Sequence, residues 1–168
     1  GASTITQQVA KNFLLSSEVT FERKIKEAIL AIRIERAFSK KEILELYLNE
    51  IYLGNNSYGI AAAALNYFDK SLDDLTIDEA AFLATLPKAP SKYNPKTNYE
   101  RVLDRRNWVL NQMYKNGYLS ANEKNKLQSK EIVLTKSSGL DGTSAPYFAE
   151  EVRRKMLKYF GFDALYQG

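Results

Sequence analysis

The chain has 168 residues, enough for one domain with a core of useful size. It carries 24 Lys+Arg against 20 Asp+Glu, a formal charge of +4, with 8 Gly, 4 Pro and neither cysteine nor histidine. This composition excludes collagen-like, low-complexity and wholly disordered classes, thiol catalysis, disulfide staples, zinc–cysteine sites and any mechanism with a histidine base. No apolar run reaches the roughly 18–20 residues of a spanning helix. The positive excess suits an anionic partner, whether nucleic acid, lipid headgroup or phosphorylated substrate, without choosing among them.

In chain order, the segment Gly1 to Gln8 shows no starting Met, signal peptide or targeting pattern, and the expectation is a cut within a larger protein. Ser3 or Thr4 is placed to cap a helix over about residues 4–15, with Val9 and Phe13 on its buried side. A second predicted helix, about 20–38, sets Ile25, Ile29 and Ile32 at helical spacing with Ala28. Ser39 and Glu42 form a capping box for a third, on which Ile43, Leu46 and Tyr47 share a face. Gly54-Asn55-Asn56-Ser57 is a turn cluster, and Ala61 to Ala64 begin a small-residue helix leading to Tyr67 and Phe68. Thr76 with Glu79 opens another helix, which stops before Pro87; the stretch from Pro87 to Pro95 reads as an extended, proline-fixed loop. A helix over about 99–116 ends at Gly117, and Ser120 with Glu123 opens a short one. Residues 129–144 are polar, with Ile132-Val133-Leu134 as a short extended piece, and a last amphipathic helix covers about 146–160. No alternating run supports a substantial sheet, so the predicted class is mostly α.

Two clusters carry chemistry. Thr4, Gln8 and Lys11 share one helical face near a helix N-terminus, which reads either as an anion or sugar site or as an ordinary solvated face. Arg23 and Lys24 stand four and three residues before Glu27, so one carboxylate is flanked by two cations, with Lys26 on the neighbouring face. Those cations are expected to hold Glu27 ionised, leaving it able to orient basic groups or to stabilise positive charge on a sugar ring; a surface salt-bridge ladder is the competing reading. The run Lys40 to Asn49 reads as structural, with Glu45, Tyr47 and Asn49 as core hydrogen-bonders, and so does the helix entered by Arg105-Arg106, with Trp108 in the core. Neither a glycine-rich phosphate loop nor a metal-ligand cluster is present.

Taken together the segments resemble the family 51 peptidoglycan glycosyltransferases, which include the N-terminal domains of class A penicillin-binding proteins and the monofunctional transglycosylases. Gly1-Ala2-Ser3-Thr4-Ile5-Thr6-Gln7-Gln8 with Lys11-Asn12 resembles the second signature, and Arg23-Lys24-Ile25-Lys26-Glu27-Ala28 the third. Lys41 to Asn49 resembles the fourth and Arg106 to Met113 the fifth. Tyr58-Gly59, Tyr67-Phe68, Leu86 to Pro90 and Tyr93-Asn94-Pro95 also match. The resemblance is dense over 1–128. The remainder, 129–168, is expected to be an extension with a helix leading toward a linker and a transpeptidase domain.

The resemblance implies a lysozyme-like helical glycosyltransferase domain, truncated at its N-terminus, that polymerises lipid II into glycan strands with inversion and loss of undecaprenyl diphosphate. It assigns Glu27 as catalytic and Ser3, Thr4, Gln8, Lys11, Arg23, Lys24 and Lys26 as substrate-binding, with no metal site. No cofactor is implied; a divalent cation such as Mg or Mn assists some members, but no carboxylate cage for one stands here. The implied partners are lipid II, the growing glycan chain, the membrane surface through an anchor outside these residues, and other cell-wall synthesis proteins, with no nucleic acid. The implied location is the outer face of the bacterial cytoplasmic membrane. Two departures from the family pattern stand out. The first signature, which supplies the general base, is absent, so the isolated 168 residues are expected not to polymerise lipid II. Val19 replaces a residue that is often cationic. The alternatives are a basic non-enzymatic module binding anionic lipid or nucleic acid, and a sugar-cleaving relative.

Overall fold

A computed structural model describes residues 3–14 and 20–135. Gly1, Ala2, Val19, residues 136–144 and the helix expected over 146–160 lie outside the described residues. The described chain falls into two compact units, one ending at Glu50 and the other beginning at Ile51. Among the described residues there are seven α-helices and no strand, which bears out the mostly-α reading.

The first unit holds α1 (Ile5–Phe13), α2 (Phe21–Ala37) and α3 (Lys40–Glu50), with α1 packed on both others. Thr4 is the cap of α1: its hydroxyl accepts from the Gln7 N–H and its own N–H donates to the Gln7 side chain, each at 3.1 Å. Ser39 caps α3 in the same way through Glu42, as expected. The core gathers Val9 and Ala10 of α1, Leu30, Ala31 and Ile34 of α2, and Ile43 and Tyr47 of α3. The face that α2 buries therefore runs through Leu30, Ala31 and Ile34; Ile25, Ile29 and Ile32, which share its helical spacing, lie on the opposite side and are exposed. Periodicity alone marks an apolar stripe, and this helix has two.

The second unit holds α4 (Ile60–Phe68), α5 (Ile77–Leu83), α6 (Tyr99–Lys115) and α7 (Ala121–Gln128). Its entry is a tight hairpin in which Tyr52 bridges Tyr58 and Gly54, Asn55 and Asn56 all take positive φ. Gly54 is required there: a Cβ would stand 2.9 Å from the Tyr67 hydroxyl. Tyr67, Phe68 and Phe82 pack their rings with centroids 5.2–6.4 Å apart. The stretch from Pro87 departs from the extended loop expected: Leu86–Lys88 form a 3-10 turn, whose first turn accepts Pro87 because no N–H is needed there, and residues 90–93 and 95–97 are turns. α6 ends as predicted, with Gly117 at φ 79° and the two bonds of a Schellman motif, Tyr118 N–H to Met113 O and Gly117 N–H to Tyr114 O. Trp108, expected in the core, is 48% exposed and lies under the Arg105 guanidinium at 3.9 Å.

Candidate functional site

The predicted site residues all belong to the first unit. α2 turns Glu27 inward among Leu30, Ala31 and Ile34, so that this carboxylate is only 2% exposed. A charge in that position needs a partner. Lys24, three residues earlier and half-exposed, donates from Nζ to Glu27 Oε1 at 2.5 Å and to the Ser3 hydroxyl at 3.2 Å. One ammonium thus ties the residue before the α1 cap to the buried acid of α2. The tether spans 21 residues of sequence between Ser3 and Lys24, and no spacing rule could have announced it.

The other predicted residues separate into those near this pair and those turned elsewhere. Thr4 uses its hydroxyl to cap α1. Gln8 is half-buried and Lys11 exposed on α1; neither makes a hydrogen bond to Lys24 or Glu27. Arg23 is half-buried on α2. Lys26 points its ammonium to Glu22 at 3.2 Å, a solvent-exposed i,i+4 pair of little energetic weight. The structure therefore brings together Ser3, Lys24 and Glu27 and leaves Lys26 on the flank. In α3, Glu45 is exposed, which corrects its expected place as a core hydrogen-bonder, whereas Tyr47 is buried and burial raises its hydroxyl pKa. Glu50, at the end of α3, also has its carboxyl raised above the usual value by burial.

The arrangement can do two things chemically. The buried Glu27 carboxyl, with one oxygen on the Lys24 ammonium, fixes where that ammonium sits. The half-exposed Lys24 ammonium, shared with a neutral hydroxyl, retains a donor for an incoming anion.

The second unit holds a buried charge of a different kind, which sequence reading passed over as a structural basic entry. Arg106 of α6 is completely buried. Its Nη2 donates to the carbonyls of Gln128 at 3.2 Å and Lys130 at 2.8 Å, and its Nε to the Asn107 side chain at 2.9 Å. Lys130 in turn pairs with Asp78 at 2.9 Å. Arg106, Lys130 and Asp78 line a cavity of about 330 Å³ walled by Phe68, Phe82 and Val133.

Comparison with known proteins agrees with this reading of the chain. Residues 1–114 match the family model described as Transglycosylase. Penicillin-binding protein 1A of Rickettsia felis is 52% identical over 158 residues, 94% of this chain and 20% of that protein. Penicillin-binding protein 1A of Neisseria gonorrhoeae is 50% identical over 168 residues, all of this chain and 21% of that protein. The crystal structure of penicillin-binding protein 1A from Haemophilus influenzae matches with a TM-score of 0.56 and 38% identity, covering 95% of this chain and 21% of that one. The chain thus spans about a fifth of the length of these relatives. With two thirds of its residues inside the matched family region, the chain belongs to the transglycosylase family.

Proposed function

We propose that this segment forms the diphosphate-binding side of a peptidoglycan glycosyltransferase, which polymerises lipid II into glycan strands. The observation that carries the proposal is the buried Glu27 carboxylate held by a half-exposed Lys24 ammonium that also reaches Ser3. In the reaction, the 4-hydroxyl oxygen of one lipid-linked sugar attacks the anomeric carbon of another. A C–O bond forms with inversion, the C–O bond to undecaprenyl diphosphate breaks, and its electron pair leaves on the diphosphate. The hydroxyl proton passes to a base for which no residue of this chain is proposed.

Lys24 meets the negative charge that grows on the departing diphosphate, and electrostatic stabilisation of that kind is strongest when the donor is already in place. Ser3 and Glu27 hold the ammonium there. Glu27 also sets a fixed negative charge beside a sugar ring that becomes positive at the transition state. Lys11, Gln8 and Arg23, on the same two helices, are proposed to bind the rest of the diphosphate-sugar, with Thr4 ordering the α1 end and Lys26 adding charge at the flank. The lipid tail places the reaction at the outer face of the bacterial cytoplasmic membrane. Among the described residues no helix is long and apolar enough to cross that membrane.

The test is binding of lipid II in detergent micelles to the 168-residue chain. Lys24→Ala is expected to weaken it by about tenfold, the loss of one charge-assisted contact, while Glu27→Gln leaves it within about threefold. Unchanged affinity on removing Lys24 would overturn the proposal.

A further inference from the structure

The cavity of the second unit contains none of the residues assigned to the glycosyltransferase, all of which belong to the first unit. Its volume of about 330 Å³ is at the lower end of ligand pockets, which run from about 300 to 1,000 Å³. Phe68, Phe82, Ile132 and Val133 give it apolar walls. Two bonds hold the wall formed by residues 130–133: the Lys130 carbonyl accepts from Arg106, and the Ile132 N–H donates to the Tyr99 hydroxyl at 3.1 Å. Arg106 is the most deeply buried polar residue of the lining. Its guanidinium is bonded only to neutral groups, two main-chain carbonyls and the Asn107 amide oxygen, and Nη1 has no hydrogen-bond partner among the described residues. A buried donor without an acceptor costs free energy, and a charged donor costs more.

The carboxylates of the same lining are already matched. Asp78 accepts from the Lys130 ammonium at 2.9 Å, and the two oxygens of Glu79 accept from Lys70 at 2.8 and 2.9 Å. Glu131 is exposed to solvent. With Lys70 counted, three acids meet three bases there, Asp78, Glu79 and Glu131 against Lys70, Arg106 and Lys130, so the charge cancels and no net field draws an ion in. What remains is one donor and apolar surface.

We propose that this cavity binds a small neutral molecule with an apolar body and a carbonyl oxygen, an amide or a ketone. The oxygen accepts from Arg106 Nη1, and the body lies against Phe68, Phe82 and Val133. A carboxylate would also satisfy Nη1, but it would bring a fourth acid to a cavity that holds three. A hydrocarbon would fill the space and leave Nη1 bare.

The test is NMR titration of the 168-residue chain with three probes of similar size: acetophenone, ethylbenzene and benzoate. Acetophenone is expected to bind saturably with a roughly millimolar Kd, as suits so small a ligand. It should move the backbone signals of Phe82, Arg106 and Val133 and, in arginine side-chain spectra, those of the Arg106 guanidinium. Ethylbenzene and benzoate should each bind at least about threefold more weakly, and ethylbenzene should leave the guanidinium signals in place. In Arg106→Met the preference for acetophenone over ethylbenzene should vanish. A second variant covers the case in which that chain does not fold. Val133 is 74% exposed at the cavity wall, so Val133→Trp narrows the cavity without touching the core, and it should weaken acetophenone by at least about fivefold. Several results would overturn the proposal: no saturable shift, shifts confined to other residues, or ethylbenzene binding as well as acetophenone, which would mean an apolar void. Benzoate binding as tightly as acetophenone would also overturn it, as an anion site, and so would binding that Val133→Trp leaves unchanged.

Discussion

Each unit buries a charge-bearing side chain almost completely, Glu27 in the first and Arg106 in the second, and they hold it in different ways. Glu27 of the first unit is held by the half-exposed Lys24 ammonium, which also reaches the Ser3 hydroxyl. Arg106 of the second unit is gripped by two main-chain carbonyls and an asparagine, all fixed by the fold. The guanidinium is planar and its Nε and Nη2 meet a rigid set of acceptors, which suits a clamp, while Nη1 is buried without a hydrogen-bond partner. The ammonium is a mobile point charge that can exchange one acceptor for another, which suits a ligand site. Burial alone therefore does not separate the two; what separates them is that one is held by main-chain carbonyls and the other by a half-exposed side chain.

The comparison can be broken most forcefully at Glu27. In the protein that carries this segment, Glu27→Gln is expected to lower lipid II turnover by about 10²–10³-fold, the range for removing one preorganised electrostatic contact, with a smaller change in KM. Turnover within a factor of two of the parent would take Glu27 out of the mechanism.

Arg106→Met should act on stability instead. It strands the carbonyls of residues 128 and 130 and is expected to cost about 3 kcal/mol, seen as a lower urea midpoint. Arg106→Lys should recover little, since an ammonium cannot reproduce the fork. Lys24→Met should cost about 3 kcal/mol as well, because it leaves the buried Glu27 carboxylate without its ammonium.

Acidity separates the units further. Burial opposes ionisation of Asp78 and Glu79, but hydrogen bonds from Lys130 and Thr76 to the first, and from Lys70 and Thr76 to the second, outweigh it and hold both below their ordinary values of 3.8 and 4.5. A depressed folded pKa contributes stability above the ordinary value and loses it as pH falls through the folded one. Stability of the second unit should therefore drop as pH falls below 4.5, and Lys70→Met should flatten that drop. Glu50 has the opposite sign: burial raises its pKa, so its contribution is full below 4.5 and is lost as pH rises. Glu50→Gln is expected to stabilise the chain increasingly from pH 4.5 upward in urea titrations, and a variant with no such trend would contradict it.

The smallest expected effect is at Tyr67, whose hydroxyl donates to the Leu53 carbonyl at 3.0 Å and whose pKa burial pushes to about 12. Tyr67→Phe should cost about 1 kcal/mol by losing that one bond.

Much of this molecule was readable from local chemistry. The caps at Thr4, Ser39 and Ser120, the glycine stop at Gly117 and the limits of α2 and α6 each depend on a few neighbouring residues, and each was found where the pattern put it. The pairing of Lys24 with Glu27 was also local, one helical turn long. Only tertiary packing decided which of the two apolar stripes of α2 faces the core, because periodicity gives a face its composition and not its neighbour. Packing likewise carried Ser3 to Lys24 across 21 residues and closed Arg106 on carbonyls more than 20 residues away. Those contacts join main-chain and side-chain atoms brought near by folding, and no spacing rule along the chain encodes that proximity.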